Sequence, residues 1–338
     1  MKNEVDLSKY KLRTDLLIDE VDNLEGEYLK SENKVIADIQ VNTTTILKEN
    51  NIKKKGIYKT ISFQDVTDHD NYKKVADVFE NELREIIQSL NLKKDYKTLV
   101  IGLGNRNSTP DSLGVKVCDN IIVTRHLYEI NEMSSEYHNI ASFTPNVMGN
   151  TGIEAQDIIK GILKEIEVDL IIIVDALASS KIERLNKTIQ LTDTGISPGS
   201  GVGNYRKEIT KENTNKPVIA IGVPTVVDAA TIVTDTINLL IKKIEYMKND
   251  NPKEKLKAKD RVNYLKEERE QLNDQEKNNL LGMIGSLSED DLKSLITEVL
   301  NPIDYNMMVT PKEIDFIIEK LSLLISKGIN NVIHELKI

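Results

Sequence analysis

The chain has 338 residues, 54 of them acidic and 45 basic, for a formal charge of −9 at pH 7; a length of this order suits about two domains, or one α/β domain with an appendage, around a sizeable core. No basic stripe interleaved with aromatics is present, so no nucleic-acid partner is expected, and the run Lys53-Lys54-Lys55 reads as a solvated turn. No uninterrupted apolar segment approaches the roughly 20 residues of a membrane span, the segment Met1–Asp6 lacks the apolar stretch of a signal peptide, and the single cysteine, Cys118, has no partner for an internal disulfide, so the expected setting is reducing and cytoplasmic, without a membrane.

In chain order, about 30 residues of mixed charge and short apolar groups read as a loosely held arm. Val35–Val41 and Gly56–Phe63 then alternate as half-buried strands do. Between Lys73 and Leu92, the residues Val75, Val78, Phe79, Leu83, Ile86, Ile87 and Leu90 keep helical spacing. Thr98–Gly102 is a short apolar run, and Ser108-Thr109-Pro110-Asp111 combines a hydroxyl cap, a proline and a first-turn acid, predicting a helix that continues to Leu127. A strand over 139–144 and a helix over 154–165 follow, then the buried runs Leu170–Val174 and Pro217–Gly222. The polar stretch from Asn249 to Asn279 reads as an insertion or exposed helix, and capped helices resume at Ser288-Glu289-Asp290-Asp291 and Thr310-Pro311-Lys312-Glu313. Apolar strands handing over to helices give the rhythm of an α/β fold, a mainly parallel twisted sheet flanked by helices.

Two acids stand out. Asp111 and Asp175 each follow a buried strand in a glycine-bearing context, and ligands collect beyond the carboxyl ends of such strands. Taken singly, each acid reads as a cap or a complement to a helix dipole. Taken as a pair with no Ser, Cys or His partner, they suggest acid/base work on water, because carboxylates held within a few Å do not both ionise. Cys118 sits in an apolar pattern and reads as a core thiol. His69, His126, His138 and His334 are scattered, without the spacing of a zinc site, and neither metal nor cofactor is expected. The stretch Asp193–Asn204 holds Asp-Thr-Gly, the tripeptide of pepsin-like proteases, and a Gly-x-Gly pattern at Gly199, Gly201 and Gly203. Neither has its usual context, and a loop approaching a substrate backbone is the preferred reading.

Several strings together resemble the spore germination protease family, the endopeptidases that degrade small acid-soluble spore proteins in spore-forming bacteria. They are Gly102-Leu103-Gly104-Asn105 with Thr109-Pro110-Asp111, Val123–Leu127, Val147-Met148-Gly149 with Thr151–Glu154, Val174–Ala178, Ser197–Asn204, Gly222–Ala229 and Met308–Glu313. The resemblance implies a fold like that of the hydrogenase maturation proteases and catalysis by two aspartates, which fall on Asp111 and Asp175. It implies a zymogen that removes its own propeptide, substrates cut after an acid and before an apolar residue with a further acid three positions on, a homotetramer, and a place in the forespore and spore core. Thr14-Asp15-Leu16-Leu17-Ile18-Asp19 reproduces that pattern, which places the cut between Asp15 and Leu16. The corresponding organisation is a propeptide over 1–15, an α/β catalytic domain over 16–248, and a polar insertion with C-terminal helices over 249–338 packing on the same domain.

Gly104, Asn105, Asp193, Gly199, Gly201 and Gly203 are the expected substrate contacts, and Glu183 and Arg184 are further candidates. Two departures from the family pattern are visible: Arg106 replaces an apolar or aromatic side chain, and Asn146 stands where glycine is usual. A charge at Arg106 is expected to lower the pKa of Asp111. The competing readings are a metal-dependent maturation-type peptidase and a phosphate- or nucleotide-binding regulatory protein using the glycine loop.

Overall fold

The alternation expected as one strand over Val35–Val41 is the tip of a hairpin. In the computed structural model, which describes residues 15–19, 29–48, 54–130, 137–199, 206–248, 272–300 and 307–336, β1 (Leu29–Ile36) and β2 (Ile39–Ile46) pair antiparallel with Ile36 opposite Ile39. Ala37 and Asp38 make the connection with φ of 49° and 71°, the left-handed geometry that two-residue hairpin turns require. The polarity pattern runs unbroken across the turn, which is why it reads as one strand.

β3 (Gly56–Ser62) extends the hairpin antiparallel, as its alternation predicts. The first helix, α1 (His69–Ser89), starts where the Asp68 side chain accepts Asn71 N–H, and it buries Val75, Val78, Phe79, Leu83, Ile86 and Ile87. β4 (Thr98–Gly102) leads through a single 3-10 turn at Thr109–Asp111 into α2 (Leu113–Asp119), and α3 (Arg125–Glu129) follows separately. The single helix predicted to Leu127 is therefore broken, at the β-branched run Ile121-Ile122-Val123 that helices accommodate poorly.

The chain continues through β5 (Ile140–Phe143), α4 (Met148–Thr151), α5 (Ala155–Glu165), β6 (Leu170–Ser179), a 3-10 turn at Ile182–Arg184, β7 (Thr188–Thr192), α6 (Lys211–Thr214) and β8 (Val218–Asp228). It then forms α7 (Ala229–Lys248), α8 (Asp274–Leu281), α9 (Glu289–Leu300), β9 (Met308–Val309) and α10 (Ile314–Ile333). Most of the polar stretch over 249–279 lies outside the described residues; its end is α8, begun by a capping box between Asn273 and Glu276. Ser288 Oγ accepts Asp291 N–H at the start of α9, as expected, whereas α10 starts beyond Thr310, whose hydroxyl donates instead to the Thr225 carbonyl.

The strands form one mixed sheet in the order β1-β2-β3-β7-β8-β6-β4-β5, with β9 on β8. The buried runs make the parallel part: β4 pairs parallel with both β5 and β6. The alternating strands β1, β2, β3 and β7 make an antiparallel wing. β4 and β6 are apolar throughout because both faces are covered. Val100, Ile172 and Val174 point into a core with α1, α2 and α10, while Leu99, Ile101, Ile171 and Ile173 pack with Ile159 and its neighbours on α5.

By contacts the chain divides into two compact units, Arg13–Val226 with Thr310–Ile338, and Met1–Leu12 with Val227–Val309. In the first unit α10 explains the broken helix. Asn330 Oδ1 accepts Ile122 N–H and its Nδ2 donates to the Asn120 carbonyl, each at 3.0 Å. His334 Nδ1 accepts His138 N–H at 3.1 Å, which leaves Nε2–H to donate to the Ile122 carbonyl. The backbone groups that a continuous helix would pair internally are paired by side chains from a distant part of the sequence. In the second unit α7 packs with α9, and Val227 and Asp228 pair with β9.

Candidate active site

Asp175 is set by the parallel register. Val174 lies opposite Gly102, the last paired residue of β4, and its carbonyl then accepts Leu103 N–H at 2.9 Å. Asp175 is thus the first residue of β6 beyond that pairing, although β6 itself runs on to Ser179 where the sequence suggests an end. Strand alternation turns Asp175 to the side of Ile171 and Ile173, and Ala176 N–H donates to its Oδ1 at 2.9 Å.

Asp111 arrives from the next-door strand. After β4 the chain turns at Gly104, whose φ of +109° is open to glycine, and passes Asn105, whose N–H donates to the Asp111 carbonyl at 2.9 Å. A Cβ on Gly104 would fall 1.9 Å from that carbonyl and 3.2 Å from Asp111 Oδ1. Glycine is what lets the acid's turn lie against the strand. A second close approach holds the layer beneath: a Cβ on Gly114 in α2 would fall 2.3 Å from the Val174 carbonyl.

Burial makes both carboxyls reluctant to ionise. Loss of hydration pushes Asp111 up to about 6, partly offset by the Asn105 N–H. Asp175 is driven well above the usual carboxylate range by burial first, then by the charges of Asp111 and Asp15. The coupling opposes a second charge on the pair, and Asp175, the more deeply buried, is the harder of the two to ionise. That is a base beside an acid. The expected influence of Arg106 is overturned: its guanidinium forms a two-pronged pair with Asp119, both bonds at 2.7 Å, and Asp111 is shifted upward, not downward.

The same place receives residues 15–17 of the N-terminal arm. Asp15 N–H donates to the Ala178 carbonyl at 3.1 Å, and Ala178 N–H returns a bond to Asp15 Oδ2 at 2.9 Å. Leu16 is fully buried. Leu17 packs with Ile46 and Tyr58, and its N–H donates to Gln190 Oε1 at 2.8 Å while Gln190 Nε2 donates to the Asp15 carbonyl at 3.4 Å. Asp15, Leu16, Asp111 and Asp175 are thereby brought together, with Gly104 and Asn105 supporting Asp111.

The remaining candidates go elsewhere or lie outside. Asp193 Oδ1 accepts Ile57 N–H at 2.7 Å, tying the end of β7 to the start of β3, and burial raises its carboxyl against the pull of that N–H and Lys211. Gly199 occupies a turn with φ of +73°, and Gly201 and Gly203 lie outside the described residues. Arg184 sits in the turn after β6, its guanidinium lowered to about 10 by burial. Asn146 has φ of +65°, the left-handed conformation that glycine takes most readily and Asn next, which accounts for the residue standing there. Cys118 is a core thiol pushed up to about 11 by burial, inert as a nucleophile. Among the described residues no group of three His, Cys, Asp or Glu side chains is placed to hold a metal ion, and no helix is long and apolar enough to cross a membrane.

Gln190 and Ala178 were missed by sequence reasoning. Ala178 acts through its backbone, which leaves no trace in a sequence. Gln190 did leave one, since a lone amide in Thr188-Ile189-Gln190-Leu191-Thr192 falls on the face opposite two core residues, but that strand is too short and threonine-rich to stand out.

The chain is 41% identical to the Germination protease of Bacillus velezensis, over 98% of this chain and 96% of that one. It is 38% identical to the Germination protease of Bacillus subtilis and 40% to that of Priestia megaterium, each over 99% of this chain and 96% of the relative. Among solved structures, the NiFe hydrogenase maturation protease HycI from Thermococcus kodakarensis aligns at 17% identity over 39% of this chain and 76% of that one, with a TM-score of 0.25, too slight a likeness to argue from. The sequence model of the family described as Germination protease matches residues 10–337, and with relatives of that name alike along almost the entire chain, this protein belongs to the germination protease family.

Proposed function

We propose that this protease is a self-activating aspartic endopeptidase in which Asp111 and Asp175 activate a water molecule. The carrying observation is the placement of Asp15 and Leu16: an acid followed by an apolar residue is held along β6 just beyond Asp175, and the charge of Asp15 is felt by that carboxyl. In the proposed reaction ionised Asp111 takes a proton from water as the water oxygen bonds to the Asp15 carbonyl carbon. Protonated Asp175 gives the carbonyl oxygen a hydrogen bond while keeping its proton, and on collapse of the tetrahedral species the C–N bond breaks as the Leu16 nitrogen takes the proton that Asp111 had accepted. No covalent enzyme intermediate forms.

Residues 1–15 act on this reading as a propeptide, whose last residue, Asp15, is held at β6 as the acid of a substrate would be. After their removal the same cleft accepts small acid-soluble spore proteins, cut after an acid and before an apolar residue during germination in the spore core. The name shared by the relatives supports the germination role, and the family resemblance supports a homotetramer.

The test is intact mass over time of the full chain with a small acid-soluble spore protein, beside Asp175→Asn and with chelator. Cuts between Asp15 and Leu16 and at matching substrate sites, absent in the variant and indifferent to chelator, are expected. Cleavage that survives Asp175→Asn, or that stops on chelation, would overturn the two-aspartate reading.

A further inference from the structure

Strand alternation in β7 sends Ile189 and Leu191 into the core and Thr188, Gln190 and Thr192 to the other face. Gln190 is paired on both sides, with Thr60 of β3 and Gly222 of β8, and only 6% of its surface is exposed. A primary amide buried in mid-sheet has to find partners for both its ends. Gln190 finds both on the arm, as Oε1 accepts Leu17 N–H at 2.8 Å and Nε2 donates to the Asp15 carbonyl at 3.4 Å. The two contacts straddle the Asp15–Leu16 peptide bond.

We propose that Gln190 is a third catalytic residue: its Nε2–H stabilises the oxyanion that develops on the Asp15 carbonyl, while its Oε1 fixes the register of the chain beyond the bond. The inference rests on the reading of Asp15–Leu16 as the bond cut. When water adds, the C=O π pair moves onto the oxygen, the new C–O bond forms, and the water proton goes to Asp111. On collapse the pair returns to the C=O bond, the C–N pair goes to the Leu16 nitrogen, and that nitrogen takes the proton held on Asp111. The Gln190 N–H stays on its nitrogen throughout.

The length of the contact argues for catalysis over simple anchoring. At 3.4 Å the bond to the neutral carbonyl is weak; it strengthens as the oxygen gains charge and leaves the plane of the peptide. An interaction that is slack in the ground state and tight in the transition state lowers the barrier, whereas one tight in both only improves binding. The 2.8 Å bond to Leu17 N–H is of the second kind. β3 and β8 hold the amide in place before the reaction begins, so little reorganisation opposes it.

The test is single-turnover self-processing of the full-length chain, read by intact mass from about pH 5 to about pH 8, for the wild type, Gln190→Glu and Gln190→Met, with a thermal melt of each. Gln190→Glu keeps an acceptor for Leu17 N–H but loses the donor when ionised and regains one when protonated. Expressed as a ratio to the wild type at each pH, which divides out the pH dependence the two chains share, its rate is expected to be about 10²–10³ lower at the alkaline end and to recover toward acid. Gln190→Met is expected to be slow at every pH.

A ratio for Gln190→Glu that is flat with pH, or a Gln190→Met variant processed as fast as the wild type, would overturn the proposal. Should Gln190→Glu fail to fold, Gln190→His, which keeps a ring N–H, takes its place: faster processing than Gln190→Met supports the donor role and equal rates refute it. A wild type not cut between Asp15 and Leu16 instead removes the reading beneath, and that result is seen before any variant is compared.

Discussion

Asp111 is held at a cost that can be measured. Its pKa rises from 3.8 to about 6 because the turn after β4 buries it, so the folded state binds its proton more tightly than the unfolded chain does. The sign follows directly: ionising Asp111 destabilises the fold as pH rises, fully above about 6, and the penalty fades as pH falls toward 3.8. At 1.36 kcal/mol per pH unit, the cost is about 3 kcal/mol at pH 7.5 and about 1.6 kcal/mol at pH 5.

Asp111→Asn removes the ionisation and is expected to return these amounts. The comparison is made in an Asp175→Asn background, so that neither chain processes itself and the neutral amide at position 175 stands in for the protonated acid. Urea unfolding at the two pH values reads the difference. A gain that is the same at both pH values, or a loss at pH 7.5, would refute the assignment of burial as the cause. On the proposed mechanism the activity of the unaltered dyad is expected to have the complementary profile, falling about tenfold per pH unit below about 6 as the base is protonated.

Gly104→Ala puts a Cβ 1.9 Å from the Asp111 carbonyl at a φ of +109°, and should cost about 1–3 kcal/mol with loss of self-processing at an unchanged circular dichroism spectrum; wild-type processing would show that the turn gives way freely. Gly328→Ala places its Cβ 2.6 Å from the Phe79 ring where α10 meets α1, and a loss of about 1–3 kcal/mol in urea is expected, largely recovered by adding Phe79→Leu. Arg106→Ala should leave the acid limb of the pH profile where it is, because the guanidinium is engaged by Asp119; a shifted limb would restore a charge effect on Asp111.

What could be read from the chain beforehand follows burial. β4, β6 and the first half of β8 announce themselves as apolar runs because both their faces are covered, and α1 and α5 because one face is. Asp111 and Asp175 were legible since each terminates or punctuates such a run, and the arm because its acid-then-apolar pattern resembles the family's cleavage site. The break after α2 was hidden because its cause, the side chains of Asn330 and His334, lies about 210 positions away. The hairpin turn at Ala37-Asp38 was hidden because its backbone conformation leaves the polarity pattern intact. The charge of Arg106 was misjudged because nearness in sequence is not nearness in space, and Asp119, one helix further on, claims it.

Residues 15–17 are held in part by their main chain, through Asp15 N–H, the Asp15 carbonyl and Leu17 N–H. A chain already folded into helix or sheet has those groups committed to its own hydrogen bonds, and freeing them requires local unfolding that costs up to the global stability of that fold. A cleft of this kind therefore sorts proteins by conformation before it reads side chains. If Asp15–Leu16 marks how substrates bind, as proposed, it is expected to admit polypeptide that is open at the cleaved site and to pass over native neighbours, however many acid-then-apolar pairs they carry.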